Sequence, residues 1–306
     1  MQTKQTMKIN KTPFQSQLNK FLGSFLLGIT LLGSVFFIEE ARANTPQCKD
    51  VLGTKNGNGK YSKDKDDIKA DSTDFCTETP DRFEIVIYEL GLCTLAPFTK
   101  DSTTFNKDTG NCVVTMTSSG STVDIAGSTV SLPQMAGRPQ SNSYQYAYVI
   151  LKNEIGLKGS LKIDDGSGGI SHYCSDATGG STNASASCSP LNHTEEIDDF
   201  GAGGGASFSA FYPGDQRTSV SMPGGGAVTA LLVKNDLSTA SQASESQKLI
   251  GLFSSDLNNK VVITDATQGL EMELSVTDLG YGISFDGNGE VDDFGSMPFQ
   301  PIFNTF

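Results

Sequence analysis

The sequence has no tryptophan and only two histidines, His172 and His193. The missing tryptophan removes the usual aromatic platform for stacking sugars, which argues against an ordinary glycosidase. Two histidines leave few ways to build a Ser-His-Asp triad, and no Gly-x-Ser-x-Gly nucleophile elbow occurs. A Gly-x-x-x-x-Gly-Lys-Ser/Thr phosphate loop is missing as well. These absences predict that the protein is not an enzyme.

Basic residues are also scarce. The 22 lysines and arginines stand against 35 aspartates and glutamates, which gives a formal net charge of −13. An acidic surface of this kind repels nucleic acids and anionic membranes, and it attracts divalent cations. We therefore expect no nucleic-acid partner.

Residues 1–43 have the three parts of a secretory signal peptide. An apolar run over residues 21–38 is followed by the small-x-small triplet Ala41-Arg42-Ala43, and it is preceded by four lysines, Lys4, Lys8, Lys11 and Lys20. A transmembrane anchor is the alternative, since the run almost spans a bilayer. Three glycines in the run and the triplet favour cleavage after Ala43. We expect export through the periplasm to the exterior or the cell surface, without an integral membrane segment in the mature protein.

Cleavage after Ala43 makes the mature chain still more acidic. The signal segment holds five of the basic and two of the acidic residues, so 17 basic and 33 acidic residues remain, a formal charge of −16. All six cysteines also lie in the mature part. An even number in an exported chain predicts disulfides, whose connectivity the sequence alone leaves open. Pairing in sequence order closes the shortest loops and predicts Cys48–Cys76, Cys93–Cys112 and Cys174–Cys188.

The two histidines flank the last of these cysteine pairs. His172 comes just before Cys174, and His193 follows Cys188. Two cysteines and two histidines are ligand types of a tetrahedral zinc site. An oxidising compartment favours the disulfide over zinc.

Short runs of β-branched and aromatic residues between glycine-rich turns predict an all-β fold with little helix, a disulfide-stapled sandwich of the immunoglobulin-like or jelly-roll type. It has one β-domain or two stacked layers. We divide the mature chain into a polar N-terminal arm (44–80), a first β-region (81–163), a Gly/Ser-rich stapled loop (164–206) and a second β-region (207–306). Residues 83–90 suit a central strand, and residues 155–163 alternate like a half-buried one. Asn153 and Glu154 are read as a hairpin turn, and residues 239–249 as one helix.

Two acidic segments are candidates for binding calcium, and no other cofactor is expected. Oxygen-bearing side chains recur at every second position from Asp286, as in a calcium loop, but Val291 replaces the glycine that an EF-hand requires. The alternative is a solvated hairpin turn. The candidate ligands are Asp286, Asn288, Asp292 and Asp293, with Asp198 and Asp199 as a second cluster. The two clusters belong to a possible internal repeat, because residues 196–201 and 290–295 both have the sequence Glu-Ile/Val-Asp-Asp-Phe-Gly. The alternative is a coincidence of six residues.

The C-terminal segment, residues 297–306, is an aromatic strand with two prolines, Pro298 and Pro301. Proline confines a strand to a sheet edge. The strand either completes its own sheet or adds to the edge of a neighbouring subunit. Its candidate assembly residues are Phe299, Ile302, Phe303 and Phe306.

Three stretches stand out together: residues 76–93, which end in Leu-Cys, Cys112 with the Asp-Ile-Ala turn of residues 123–127, and the strand pair over residues 144–161. In this order they resemble a loosely defined family of uncharacterised secreted β-proteins from marine bacteria. The resemblance covers roughly residues 76–163. It implies a cell-surface or filament-like role and assigns no catalytic residues.

The leading hypothesis is a secreted structural or cell-surface protein, a fibre or pilus-like or surface-coat subunit that assembles with copies of itself by β-strand addition. The alternative is a secreted binding module or adhesin that recognises a glycan or another cell-surface component through residues 164–205. A secreted hydrolase is the third and least favoured hypothesis.

Overall fold

The computed structural model describes residues 46–99, 104–126, 138–184, 187–197, 220–221, 226–255 and 260–306. These residues belong to one compact unit, Ala41–Phe306. The predicted signal peptide lies outside them. Within the described ranges, no helix has the length and apolar character needed to span a membrane.

The all-β prediction is confirmed, and so are the three disulfides in sequence order. The helices are α1 (Cys48–Val51), α2 (Lys65–Ala70) and a 3-10 turn (Ala243–Glu245). The first nine strands are β1 (Phe75–Glu78), β2 (Arg82–Cys93), β3 (Cys112–Asp124), β4 (Asn142–Tyr144), β5 (Tyr146–Lys152), β6 (Ile155–Lys158), β7 (Ser160–Asp164), β8 (Ile170–Ser175) and β9 (Ser181–Ala184). The others are β10 (His193–Glu195), β11 (Val220–Ser221), β12 (Ala227–Val233), β13 (Lys248–Ser254), β14 (Val261–Ile263), β15 (Leu270–Ser275), β16 (Tyr281–Phe285), β17 (Val291–Ser296) and β18 (Gln300–Thr305).

The central sheet is antiparallel and is built around β2. Strand β3 pairs with one edge of β2, and β5 and β6 share the other edge. The sheet continues from β5 through β13 and β12 to β11, while β10 pairs with β6. Neighbouring residues such as Ile150 and Leu151 on β5 are both buried, so both faces of the sheet are covered. Along β2 itself, burial alternates from Phe83 to Tyr88 and becomes continuous from Leu90 to Cys93.

The predicted hairpin at Asn153 and Glu154 is wrong. Strands β5 and β6 run along the same partner strand, and the two residues form an irregularity between them. The Asn153 side chain is buried and exchanges two hydrogen bonds with the backbone of Ile197, at 2.7 and 3.1 Å. A two-residue hairpin turn needs residues that adopt positive φ, such as Asn-Gly, and Glu154 does not supply one.

A second layer packs on the central sheet through the main apolar core. It consists of the sheet β1–β16–β17 and the ribbon β7–β8–β9. The chain passes from β6 in one layer to β7 in the other at Gly159, as strands do at the corners of sandwiches. The alternating residues predicted to share a buried face, Ile155, Leu157, Leu161 and Ile163, are all buried, but the corner splits them between the layers.

The N-terminal arm is not an irregular polar appendage, because it closes one end of the main core. Leu52, Tyr61 and Ile68 are buried there, next to the disulfide Cys48–Cys76. These apolar residues follow neither a helical nor a strand period, so the sequence pattern gave no sign of their burial. The disulfide and helices α1 and α2 hold the segment in place.

Two other segments also differ from their predicted structure. The predicted loop 164–206 contains β8, β9 and β10. The predicted helix over residues 239–249 is wrong, since only the 3-10 turn forms there before β13 begins. In both segments, tertiary pairing with a neighbouring strand outweighs weak local preference.

Candidate functional site

A cavity of about 360 Å³ opens at one end of the central sheet, beside the C-terminal strand. Residues 300–303 of β18 form one wall, and residues 144–147 form another. Four consecutive residues line each of these walls. Tyr146 and Ala147 belong to β5, whose two edges pair with β2 and β13, whereas β18 pairs with β15 alone among the described strands. The wall at β18 is therefore the one that can offer the edge of an extended strand. We call this space the β18 groove; its other lining residues are Ala227, Phe253, Ser254, Ser255 and Val261.

The polar groups of the wall opposite β18 are largely used within the protein. The amide and hydroxyl of Ser255 both donate to the carbonyl oxygen of Gln145, at 2.9 and 3.0 Å. The hydroxyl of Ser254 donates to the carbonyl oxygen of Ala227 at 3.2 Å. The remaining surface of the wall comes from apolar residues such as Phe253 and Val261. The groove therefore favours an extended apolar segment over a charged ligand.

Two short ribbons, β4–β14 and β15–β18, lie at this end of the molecule and share a small apolar cluster that includes Tyr144, Ile263 and Phe303. The described residues have five exposed large apolar side chains. Three of them belong to these ribbons or follow them directly: Val262, Ile302 and Phe306. Exposed apolar residues that gather on neighbouring elements are typical of interaction sites.

The four predicted assembly residues have different surroundings. Phe299 is only 6% exposed and packs against the rings of Phe83 and Phe253, at centroid distances of 6.0 and 5.6 Å. It therefore anchors the strand to its own core. Phe303 is partly buried, whereas Ile302 is 40% exposed and Phe306 is 72% exposed. Strand β18 pairs with β15 of the same chain, as the first alternative predicted.

The acidic segment at Asp286 is a hairpin turn between β16 and β17. One carboxylate oxygen of Asp286 accepts the amides of Asn288 and Glu290, both at 2.9 Å, and the other accepts the Asn288 side chain. These hydrogen bonds hold the pKa of Asp286 below its ordinary value, and the bond from the Glu290 amide has the largest effect. Gly289 has φ of +78°, which the turn requires.

The same turn recurs at three other places in the described part of the chain. Asn56 accepts the amides of Asn58 and Lys60. Asp165 accepts those of Ser167 and Gly169, and Asp176 accepts those of Thr178 and Gly180. In each turn the fourth residue is a glycine with positive φ. This repetition shows that the spacing of oxygen-bearing side chains after Asp286 serves the turn itself.

The remaining calcium candidates lie apart from this turn or beyond the described residues. Asp292 and Asp293 are exposed on β17, after the turn. Asp198 and Asp199 lie outside the described residues, so the predicted equivalence of the two acidic segments is not decided by the structure. Calcium binding by Asp286, Asn288, Asp292 and Asp293 stays a prediction.

One group of three metal-ligand types is brought together in the described part of the chain: His172, Cys174 and Cys188, whose ligand atoms lie within 4.8 Å of one another. The two sulfurs are bonded to each other. His193 does not join this group, because it lies on β10 and packs against the ring of Tyr281 at 6.3 Å. The structure thus provides the disulfide rather than a four-ligand zinc site.

His193 is buried, and burial lowers the pKa of its imidazole. The carbonyl oxygens of Leu191 and Phe294 lie near the ring, but neither ring nitrogen reaches a hydrogen bond of good geometry. Burial therefore favours the neutral form of this imidazole. The burial of His193 could not be predicted from the sequence, because it results from the pairing of β10 with β6.

Comparison of the chain with protein-family models, curated proteins and solved structures finds no match in any of the three. The resemblance of residues 76–163 to secreted β-proteins of marine bacteria therefore stays a prediction. Sequence reasoning found β18 but missed the groove beside it, because the opposite wall is made of residues 144–147 and Ser255, which have no distinctive motif. Only the tertiary arrangement makes these segments neighbours.

Proposed function

We propose that the protein is an exported structural or cell-surface subunit that associates with copies of itself when an extended strand edge of one copy enters the β18 groove of another. The observation that carries this proposal is the groove itself, a largely apolar space bordered by β18, which pairs with β15 alone among the described strands. In such a space, backbone hydrogen bonds supply affinity and side-chain pockets supply selectivity.

The exposed side chains of the ribbons support the same proposal. Ile302 lines the groove and is also exposed, and Val262 is adjacent to the lining residue Val261. An unprotected apolar strand edge invites pairing with another chain, and soluble proteins usually block such an edge with charge or proline. Pro301 limits how many backbone bonds β18 can add, which favours a short contact over a long one.

Export is the second part of the proposal. Three disulfides fit an oxidising compartment, where structural disulfides persist. The predicted signal peptide and the acidic mature chain agree with export. A surface location would bring copies together at high local concentration, which a small contact needs.

The experiment is sedimentation velocity of the oxidised mature chain over a wide concentration range. Removing the whole C-terminal strand is a poor test, because it would also take Phe299 out of the core. Ile302→Lys instead places one charge in the groove. Leu95→Lys is the control, since Leu95 is also an exposed apolar residue, 54% exposed against 40% for Ile302, but lies in the loop before Cys112. We expect the wild type and Leu95→Lys to associate alike, and Ile302→Lys to remain monomeric.

A strictly monomeric wild type at every concentration would overturn the proposal. The binding-module hypothesis would then take its place, and binding to a panel of glycans would be measured with and without the stapled ribbon β7–β8–β9 intact.

A further inference from the structure

The disulfide Cys174–Cys188 differs from the other two in its surroundings. Cys174 is completely buried, whereas Cys188 is partly exposed. The imidazole of His172 lies beside both residues. Its Nδ1 accepts the backbone amide of Cys188 at 3.1 Å, and its Nε2 lies 3.7 Å from the sulfur of Cys174.

These contacts fix the tautomer of His172. Since Nδ1 accepts a hydrogen bond, the ring proton of the neutral imidazole is on Nε2. The N–H therefore points at the sulfur of Cys174. Burial, with a smaller effect of Lys162, lowers the pKa of His172, so that this neutral form is the one present at neutral pH.

We propose that Cys174–Cys188 is a reactive disulfide that exchanges with thiols, with Cys188 as the sulfur that is attacked and Cys174 as the leaving group. Thiol–disulfide exchange requires an accessible sulfur and a leaving thiolate that is stabilised. Cys188 provides the accessible sulfur. The Nε2–H of His172 stabilises the thiolate that develops on Cys174, because hydrogen bonds to a charged sulfur lower the energy of the thiolate form.

The exchange is a two-electron reduction by a thiol. The thiolate of the reductant attacks Sγ of Cys188, a new S–S bond forms between them, and the Cys188–Cys174 bond breaks with its electron pair going to Sγ of Cys174. A second thiolate then displaces Cys188 from the mixed disulfide, which releases the oxidised reductant. A thiol-bearing protein in place of the small thiol would remain attached at Cys188 after the first step.

The other disulfides provide internal controls. Cys93–Cys112 also joins a buried cysteine to a partly exposed one. No histidine can assist it, because His172 is at its own disulfide and His193 packs on Tyr281. Cys48–Cys76 has both cysteines completely buried. If exposure alone determined reactivity, Cys174–Cys188 and Cys93–Cys112 would react equally fast. The imidazole of His172 predicts that Cys174–Cys188 reacts faster.

The test treats the folded, fully oxidised mature protein with a limiting amount of reduced glutathione, quenches with acid, alkylates free thiols and maps each cysteine by peptide mass spectrometry. The expected first product carries glutathione on Cys188 and a free thiol on Cys174, with Cys93–Cys112 opening about tenfold more slowly, the effect of one hydrogen bond to a charged group. Glutathione appearing first on Cys112 or Cys174, or equal rates at the two disulfides, would overturn the proposal.

The variant His172→Asn separates the imidazole from the local fold. Its side-chain oxygen can still accept the Cys188 amide, but it has no N–H near Cys174. We expect the Cys174–Cys188 disulfide of this variant to open about tenfold more slowly. In His193→Asn, which removes the other imidazole, we expect this disulfide to open at the wild-type rate. An unchanged rate in a folded His172→Asn protein contradicts the assignment. If circular dichroism shows that this variant is unfolded, the site of glutathione attachment in the wild type decides the matter alone.

Discussion

Gly159 lies under the ring of Tyr281 so closely that a Cβ atom at position 159 would stand 2.3 Å from Cε1 of the ring. This contact sits at the corner where the chain leaves the central sheet and enters the second layer. Tyr281 is fully buried and stacks on Phe294 at a centroid distance of 5.3 Å, so its ring cannot move aside without disturbing the core. Close approach, rather than backbone conformation, requires glycine here.

Gly159→Ala is therefore expected to destabilise the protein by about 1–3 kcal/mol, the usual cost of overpacking a core. Urea denaturation measures the change in the free energy of unfolding. Gly57→Ala is the matched control, since a Cβ atom there meets nothing within 4 Å. Equal stability of Gly159→Ala and Gly57→Ala would show that the two layers are not held at this corner.

The buried carboxylate of Glu78 is predicted to be a second stability centre. It accepts the hydroxyl of Tyr61 and the amide of Thr79, and it pairs with Lys55 at 2.8 Å. Burial, assisted by Glu78, raises the pKa of Tyr61. Glu78→Ala leaves these groups without their partner and is expected to cost about 3 kcal/mol. Thermal and urea unfolding measure this loss, and Glu154→Ala, which removes an exposed ion pair with Lys152, should change stability little.

Stability is predicted to fall as the pH drops below the ordinary histidine value of 6.5. Burial lowers the pKa of His193 in the folded protein, so the unfolded chain binds the proton first as the pH falls. The free energy of unfolding therefore decreases until the pH reaches the lower pKa of the folded state. The slope reaches at most about 1.4 kcal/mol per pH unit for each such group. The nearby carboxylate of Asp176 opposes the shift without reversing it.

Urea denaturation at pH 7.5 and at pH 5.5 measures this slope. His193→Phe keeps a ring against Tyr281 and removes the titrating group, so its stability should change less between the two pH values. His172 contributes a slope of the same sign, because its pKa is lowered as well. An identical slope in wild type and His193→Phe would contradict the assignment.

The turn at Asp286 can be compared with the turn at Asn56, and this comparison predicts the effect of replacing Asp286. Asn56 occupies the equivalent place in another turn and accepts the corresponding amides through its side-chain oxygen. Asp286→Asn should therefore retain nearly all of the stability, whereas Asp286→Ala loses three hydrogen bonds, two of them from backbone amides, and should cost about 1–2 kcal/mol. A large loss in Asp286→Asn would mean that the charge of the carboxylate, and with it a cation, matters at this site.

Association is predicted to strengthen with salt. The mature chain carries a formal charge of −16, so two copies repel one another, and salt screens that repulsion over about 10 Å at 0.1 M ionic strength. Raising the ionic strength should shift sedimentation velocity profiles towards larger species. An association that weakens with salt would point to an interface held by ion pairs instead of the apolar β18 groove.

The strands and the disulfides could be predicted because their signals are local. The β-branched run around Ile85 and Ile87 indicated a strand, and the short loops between successive cysteines favoured pairing in sequence order. The role of Asn153 could not be predicted, since its buried side chain replaces backbone bonds to Ile197, a residue far along the chain. Phe299 was predicted to be an assembly residue, because it is an aromatic residue near the end of the chain. In the structure it packs in the core of its own chain, against Phe83.

The candidate site was only half visible in the sequence. The two prolines in the aromatic C-terminal segment predicted that β18 is an edge strand, but nothing in residues 144–147 indicated that they form the facing wall. The fourth candidate zinc ligand, His193, was likewise separated from the other three by strand pairing that no local pattern encodes.

Hydrogen–deuterium exchange of the oxidised mature chain, compared at low and high protein concentration, tests the central claim most directly. Pairing of a second copy in the β18 groove predicts that the amides of residues 302–305 become protected at high concentration, while those around Leu95 do not change. Exchange that is independent of concentration, or protection confined to other segments, would contradict assembly through this groove.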